Sequence, residues 1–159
     1  MANKAVFLFG VIGLMATTSC LADETAGRAS VIDGDTIEIR GQRIRLHGVD
    51  APEAGQTCLK ADGTPWPCGQ QAALALSDFL GARPVRCVAN GTSYDRLVAF
   101  CEVDRIDVAS WLVGEGWAIA SVRHSRAYVG EERAARQTKR HIWQGTFVNP
   151  RDWRSGRRP

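Results

Sequence analysis

Two short segments of the chain gather four carboxylates and one arginine. Asp33 and Asp35 lie in the run VIDGDT, and Arg45, Asp50 and Glu53 lie in the run RLHGVDAPE. Carboxylates this close repel one another, and their pKa values rise unless a cation or an arginine lies among them. Oxygen ligands of this kind suit a hard divalent cation such as Ca²⁺. The spacing therefore predicts a metal site whose chemistry acts on phosphate.

Short β-branched runs must position these residues. The first three predicted strands form a meander, with turns at DGD and GQ, and NGTS indicates a turn between the last two. Apolar spacing predicts three helices, at 69–80, at 106–116 with Asp107 as N-cap, and at 128–140. Strands grouped in this way favour a closed five-stranded OB-fold barrel with three packed helices. The five predicted strands span residues 28–32, 36–40, 43–49, 84–89 and 97–103.

The first 22 residues have the layout of a signal peptide. Lys4 precedes an apolar stretch that is short for a bilayer span, and small residues follow it. Cleavage after Ala22 would leave a short segment, 23–27, before the main domain. A lipoprotein cut before Cys20 is the alternative, although TTS lacks the leucine usually found ahead of a lipidated cysteine. We expect a periplasmic or extracellular protein with no transmembrane segment after cleavage.

Four cysteines remain after the signal peptide, and an even number in an exported chain predicts disulfides. Three pairings are possible. Local pairing is favoured, because two cysteines bracket one turn-rich loop and two flank a predicted hairpin. Free thiols or a zinc site are the alternatives, and neither spacing has the CxxC form that zinc prefers. The predicted pairs are Cys58 with Cys68 and Cys87 with Cys101.

Charge is distributed unevenly along the chain. The net charge is +3, with 17 arginines against 3 lysines. Residues 23–122 sum to about −5, whereas residues 123–159 sum to about +7. Guanidinium groups bind phosphate in a bidentate manner and stay charged, so this bias is compatible with a polyanionic partner.

Several ordered motifs carry a family resemblance. VIDGDT, RLHGVDAPE, SYDRLVAFC, GWA and HIWQGTFVNPRDWR follow one another at family-like intervals over residues 28–154. In this order they resemble the thermonuclease (staphylococcal nuclease-like) family. The resemblance implies an OB-fold enzyme that cuts DNA and RNA with Ca²⁺, prefers single strands and leaves 3′-phosphates. We expect a monomer whose basic end, from Arg154 onward, is mobile.

The resemblance also implies a role for individual residues. Asp35 and Asp50 match the metal-binding carboxylates, and Ala51 matches the residue whose main-chain carbonyl binds the metal. Glu53 matches the glutamate that orients or deprotonates the attacking water. The two phosphate-gripping arginines correspond to Arg45 and Arg96, and Tyr94 either stacks on a base or sugar or closes the hairpin.

One departure from the family pattern lies beside the second arginine. The family usually has glycine there, whereas this chain has Asp95, which could pair with Arg96 and weaken its hold on phosphate. The alternative function is therefore a catalytically weak or inactive OB module that binds nucleic acid or an envelope polysaccharide. Retention of both arginines and all three carboxylates argues for the enzyme.

Overall fold

A computed structural model describes residues 24–158. The predicted signal peptide, its cleavage site and the alternative lipidation at Cys20 lie outside these residues. None of the helices within residues 24–158 is both long and apolar enough to cross a membrane.

Five strands close into a barrel, which confirms the predicted fold class. The barrel strands, numbered in chain order among all strands, are β1 (Glu24–Asp33), β2 (Thr36–Ile39), β3 (Gln42–Leu46), β7 (Pro84–Ser93) and β8 (Arg96–Val103). Neighbouring strands pair in the order β3-β2-β1-β7-β8, and a parallel pairing of β3 with β8 closes the ring.

Shorter elements surround the barrel. Two two-residue strands, β4 (Val49–Asp50) and β10 (Ile119–Ala120), pair with each other, as do β5 (Cys58–Leu59) and β6 (Pro65–Trp66), while β9 (Ile106–Asp107) extends β8. The helices are α1 (Cys68–Leu80), α2 (Val108–Gly114), α3 (Val129–Gln137), a 3-10 helix (His141–Gln144) and α4 (Pro150–Arg154).

The core follows from the alternation of apolar residues along the strands. Ile37, Ile39, Ile44 and Leu46 are buried because side chains at alternate strand positions point into the barrel. Helix α1 packs against the barrel core with apolar residues at helical spacing. Its buried apolar side chains are Cys68, Ala72, Leu76 and Leu80. Asp107 is the N-cap of α2 as predicted, since its carboxylate accepts hydrogen bonds from the backbone N–H groups of Ala109 and Ser110.

Both predicted disulfides are present. Cys58 bonds Cys68, and Cys87 bonds Cys101, whose strand positions lie directly opposite each other in β7 and β8. Disulfides persist in oxidising compartments, so two of them are consistent with an exported protein.

Removing the barrel disulfide should destabilise the fold. The Cys87–Cys101 bond joins residues separated by 14 positions, so replacing both cysteines with alanine should lower the free energy of unfolding by about 3 kcal/mol. Urea unfolding of the oxidised proteins measures this difference. A loss well under 1 kcal/mol would mean that the bond constrains the unfolded chain far less than its loop length implies.

Several predicted boundaries differ from those in the structure, and three of the differences have identifiable reasons. The NGTS segment does not turn: β7 continues to Ser93 through a bulge between Ala89 and Gly91, and the turn is at Tyr94–Asp95. The stretch predicted as the start of α2 is instead strand β9, which pairs with β8. Arg154 is not part of a mobile end, because it closes α4 and forms ion pairs.

Candidate active site

Asp35 lies where the barrel strands β1 and β2 turn. Its carboxylate accepts the Thr36 hydroxyl at 3.0 Å and the Ala51 backbone N–H at 3.2 Å. The close approach depends on Gly34, since a Cβ there would lie 2.7 Å from the Ala51 Cβ. Asp33 shapes the same turn, because its carboxylate accepts the Asp35 backbone N–H at 3.0 Å.

Burial gives Asp35 an unusual proton affinity. Loss of solvent raises the pKa of this carboxyl to about 7, and the nearby Asp33 and Asp50 add to the rise. The Arg45 guanidinium acts in the opposite direction, by stabilising the charged form. A buried carboxylate of this kind needs positive charge beside it to remain ionised near neutral pH.

Arg45 joins the two carboxylates that the sequence singles out as metal ligands. Its Nη1 lies 2.8 Å from Asp35 Oδ1, and its Nη2 lies 3.0 Å from Asp50 Oδ1. The two acids therefore come together across one guanidinium, although fourteen residues of chain lie between them. Asp50 is held in place by the pairing of β4 with β10, in which it lies opposite Ile119.

A second arginine extends this arrangement, and the sequence did not predict it. Arg154, at the end of α4, contacts both Asp50 oxygens at 3.0 Å and Glu53 Oε1 at 2.5 Å. We call the alternating series Asp35, Arg45, Asp50, Arg154 and Glu53 the charge ladder. Asn149 and Pro150 are a helix-start signal that could have revealed α4, because asparagine caps N-termini and proline favours the first turn.

A buried glutamine holds the loop that carries Glu53 in place through hydrogen bonds. Gln56 is 1% exposed, and its Oε1 accepts the Glu53 backbone N–H while its Nε2 donates to the Val148 carbonyl at 2.6 Å. Gly69 at the start of α1 donates its N–H to the Gln56 carbonyl at 3.2 Å. The glutamate is therefore positioned by three separate parts of the chain, and neither Gln56 nor Gly69 was singled out from the sequence.

A methyl group at Gly69 should displace this loop. A Cβ there would lie 1.6 Å from the Glu53 carbonyl oxygen, so Gly69→Ala cannot be accommodated without movement. We expect a stability loss of about 1–3 kcal/mol from overpacking and an activity loss approaching ~10²-fold. Urea unfolding and the cleavage rate on denatured DNA measure the two effects.

Gly130→Ala provides the matched control. Gly130 is likewise the second residue of a helix, α3, and a Cβ there meets nothing within 4 Å. This substitution should stabilise the protein by about 0.5–1 kcal/mol and leave activity unchanged. If Gly69→Ala and Gly130→Ala had the same cleavage rate and the same stability, Gly69 would not be needed to position Glu53.

Arg96 and Tyr94 are not part of the charge ladder. β3 pairs with β8 so that Arg45 is opposite Val98, and alternation places Arg96 on the same sheet face as Arg45. Among residues 24–158, no ion pair joins Arg96 to a carboxylate, Asp95 included. Tyr94 is 96% exposed at the hairpin tip, where its φ is +56°.

The oxygen donors fit a hard cation in their chemistry, although they do not form a ready-made cage. Over residues 24–158, no three His, Cys, Asp or Glu side chains are grouped to hold a metal ion. Asp35 and Asp50 supply two carboxylates beside the backbone of Ala51, and the buried Asp35 needs a cationic neighbour. Because guanidiniums now contact both Asp50 oxygens, a metal ion there would compete with Arg154.

Comparison with known proteins identifies the family. The family described as "Staphylococcal nuclease homologue" matches residues 43–145, well over half of the chain. The chain belongs to the staphylococcal nuclease homologue family. Asp35 and Arg154 lie outside the matched range, so the family match includes only three of the five residues of the charge ladder.

Two curated relatives accompany this match. A protein named "Succinoglycan biosynthesis protein ExoI" from Rhizobium meliloti (strain 1021) is 41% identical over 135 residues, covering 82% of this chain and 71% of the relative. "Probable staphylococcal-like nuclease CAN2" from Oryza sativa subsp. japonica is 26% identical over 140 residues, covering 86% of this chain. The chain spans 35% of the length of the rice protein.

Proposed function

We propose that this member of the staphylococcal nuclease homologue family is an exported, Ca²⁺-dependent nuclease, whose domain extends from the barrel strand β1, which begins at Glu24, to the end of α4 at Arg154. It hydrolyses phosphodiester bonds of DNA and RNA, prefers single strands, and acts as a monomer. The observation that carries this proposal is the bridge that Arg45 forms between Asp35 and Asp50, at 2.8 and 3.0 Å, on the wall of the barrel. Such alternation of acid and arginine suits a site that binds a cation and a phosphate together.

The cation would be held by oxygen atoms alone. Asp35, Asp50 and the main-chain carbonyl of Ala51 supply hard ligands of the type that Ca²⁺ prefers. When bound, the ion supplies positive charge that polarises the phosphoryl oxygen and favours attack by water. Arg154 now contacts the Asp50 oxygens that would hold such an ion, so the guanidinium would have to give up that contact.

The other residues act on the phosphodiester and on water. Arg45 donates hydrogen bonds to the non-bridging oxygens, where negative charge builds up as water attacks. Glu53, half-exposed at the end of the ladder, orients that water or accepts its proton. As the water oxygen bonds to phosphorus, the bond to the 5′ oxygen breaks and that oxygen takes up a proton. Arg96 stabilises the departing oxygen, so the products are a 3′-phosphate and a 5′-hydroxyl.

A second candidate function is supported by one relative. The 41% identical protein carries the name of a succinoglycan biosynthesis protein, which concerns a polysaccharide rather than a nucleic acid. Under this alternative, the barrel binds an anionic polysaccharide and hydrolyses nothing. The retained series of three carboxylates and two arginines favours the enzyme, because simple binding of a polyanion needs the arginines but not the acids.

The experiment that tests the proposal compares cleavage with binding. Purified protein is incubated with heat-denatured DNA, with RNA and with an acidic polysaccharide, each with Ca²⁺ or with a chelator, and the products are sized. Cleavage of the nucleic acids only when Ca²⁺ is present supports the nuclease. If none of the polymers is cleaved and the protein binds only the polysaccharide, the alternative function is established.

A further inference from the structure

A basic cavity lies against the charge ladder. It has a volume of about 350 Å³ and is bounded by the end of β4, the segment that follows β10, and α4. Asp50 is the only carboxylate among its lining residues as the structure describes them. Four arginines line it as well, namely Arg45, Arg123, Arg151 and Arg154.

Two of these arginines are available to a ligand. Arg45 and Arg154 are engaged with Asp50, whereas Arg123 and Arg151 are exposed and form no ion pair within residues 24–158. They come from separate segments, one following β10 and one in α4, and face the same space. Like charges repel, so their convergence on one cavity lowers stability unless an anion binds there.

The cavity is continuous with the site of hydrolysis. Arg45 lines the cavity and also bridges the two candidate metal carboxylates, and Arg154 spans from the cavity to Glu53. An anion in the cavity would therefore be part of the same ligand as the scissile phosphate, rather than a separate molecule. The planar guanidinium fork matches phosphate oxygens in a bidentate manner.

We propose that this cavity is a subsite for a phosphate that neighbours the scissile one, and that Arg123 and Arg151 bind it. This inference rests on the proposed function and deepens it, because it makes the substrate a strand with at least two phosphates. Arg154 forms the boundary between the scissile site and the subsite. The residues that create the subsite lie largely in the basic C-terminal part of the chain, which thereby acquires a defined role.

The test uses two double variants of equal charge. Arg123→Gln/Arg151→Gln removes the proposed contacts. The control, Arg28→Gln/Arg105→Gln, removes two exposed arginines that do not line this cavity and form no ion pair within residues 24–158. Affinity for a fluorescent single-stranded oligonucleotide is measured by anisotropy, without divalent cations, over a range of salt concentrations. The first variant should bind at least about tenfold more weakly and show a salt slope reduced by about 1, and the control should change little.

A one-phosphate probe separates the subsite from the scissile site. With Ca²⁺, the first variant should lose kcat/KM on the oligonucleotide but not on a dinucleoside monophosphate, which has nothing to place in the cavity. Equal loss of affinity in both double variants, or in neither, would overturn the subsite. The subsite would also be overturned if the Arg123→Gln/Arg151→Gln variant bound the oligonucleotide normally but no longer bound an acidic polysaccharide. Failure of the wild type to cleave either probe would instead refute the nuclease, and the anisotropy comparison still decides the subsite.

Discussion

Arg45→Ala should lower kcat/KM on denatured DNA by at least ~10²-fold, the loss typical of removing one donor to a developing oxyanion. It should also lower the free energy of unfolding, because the buried Asp35 and Asp50 lose the guanidinium they share. Removing one partner of a buried ion pair lowers the free energy of unfolding by about 3–5 kcal/mol. Burial already raises the pKa of Asp35 to about 7, so this carboxyl can take up a proton in the variant, which should make the loss of stability smaller.

Arg43→Ala is the control for this variant. Arg43 lies two residues earlier on β3, and its contact with Glu38 is a surface ion pair at 4.0 Å. Its removal should change both activity and stability very little, by no more than about 1 kcal/mol. Arg45→Lys separates catalysis from folding, since lysine keeps the charge but loses the two-pronged bridge. Full activity in Arg45→Lys would contradict a role for the guanidinium geometry.

Glu53→Gln should lower kcat by about 10²-fold or more while leaving the fold intact. The substitution keeps the size of the side chain but removes the charge that orients or deprotonates water. Glu53 is half-exposed, and the backbone contacts of its loop run through Gln56 and remain. Single-turnover cleavage rates and thermal unfolding together measure the effect.

Glu115→Gln is a closely matched control for Glu53→Gln. The Glu115–Arg140 pair has side chains exposed by 40% and 46%, against 37% and 41% for Glu53 and Arg154. Both glutamates therefore lose one partly exposed ion pair when the charge is removed, but Glu115 is not in the ladder. If the two variants lost activity to the same degree, the effect would be general rather than due to the position of Glu53.

The barrel could be predicted from the sequence because its local signals agree with its tertiary structure. The alternation of Ile37 and Ile39 fixes which strand face is buried, and the paired cysteines mark strands that lie side by side. The failures came where tertiary contacts override local signals. Asn90–Gly91 is a strong turn signal, yet β8 continues to pair with β7 there, and the bulge absorbs the glycine, whose φ is 128°.

The site could be predicted in part for a similar reason. Asp35, Arg45 and Asp50 are close in sequence, so a hairpin suffices to bring them together. Arg154 lies 101 residues beyond Glu53, and no local pattern indicates that a basic C-terminal segment folds back onto the ladder. Gln56 was overlooked because a lone glutamine in a loop gives no signal, although its burial and two hydrogen bonds make it essential for the position of Glu53.

The central claim is that one cation and one phosphodiester share the site around Asp35, Asp50 and Arg45. Calorimetric titration of Ca²⁺ into the Glu53→Gln protein, with and without a single-stranded oligonucleotide, tests it most directly. The account predicts that one Ca²⁺ binds per chain and that Asp50→Asn abolishes this binding. It also predicts that the oligonucleotide raises the affinity for Ca²⁺ at least about fivefold, and that Ca²⁺ raises the affinity for the oligonucleotide by the same factor. Ca²⁺ binding that neither the oligonucleotide nor Asp50→Asn alters, or no binding at all, would contradict it.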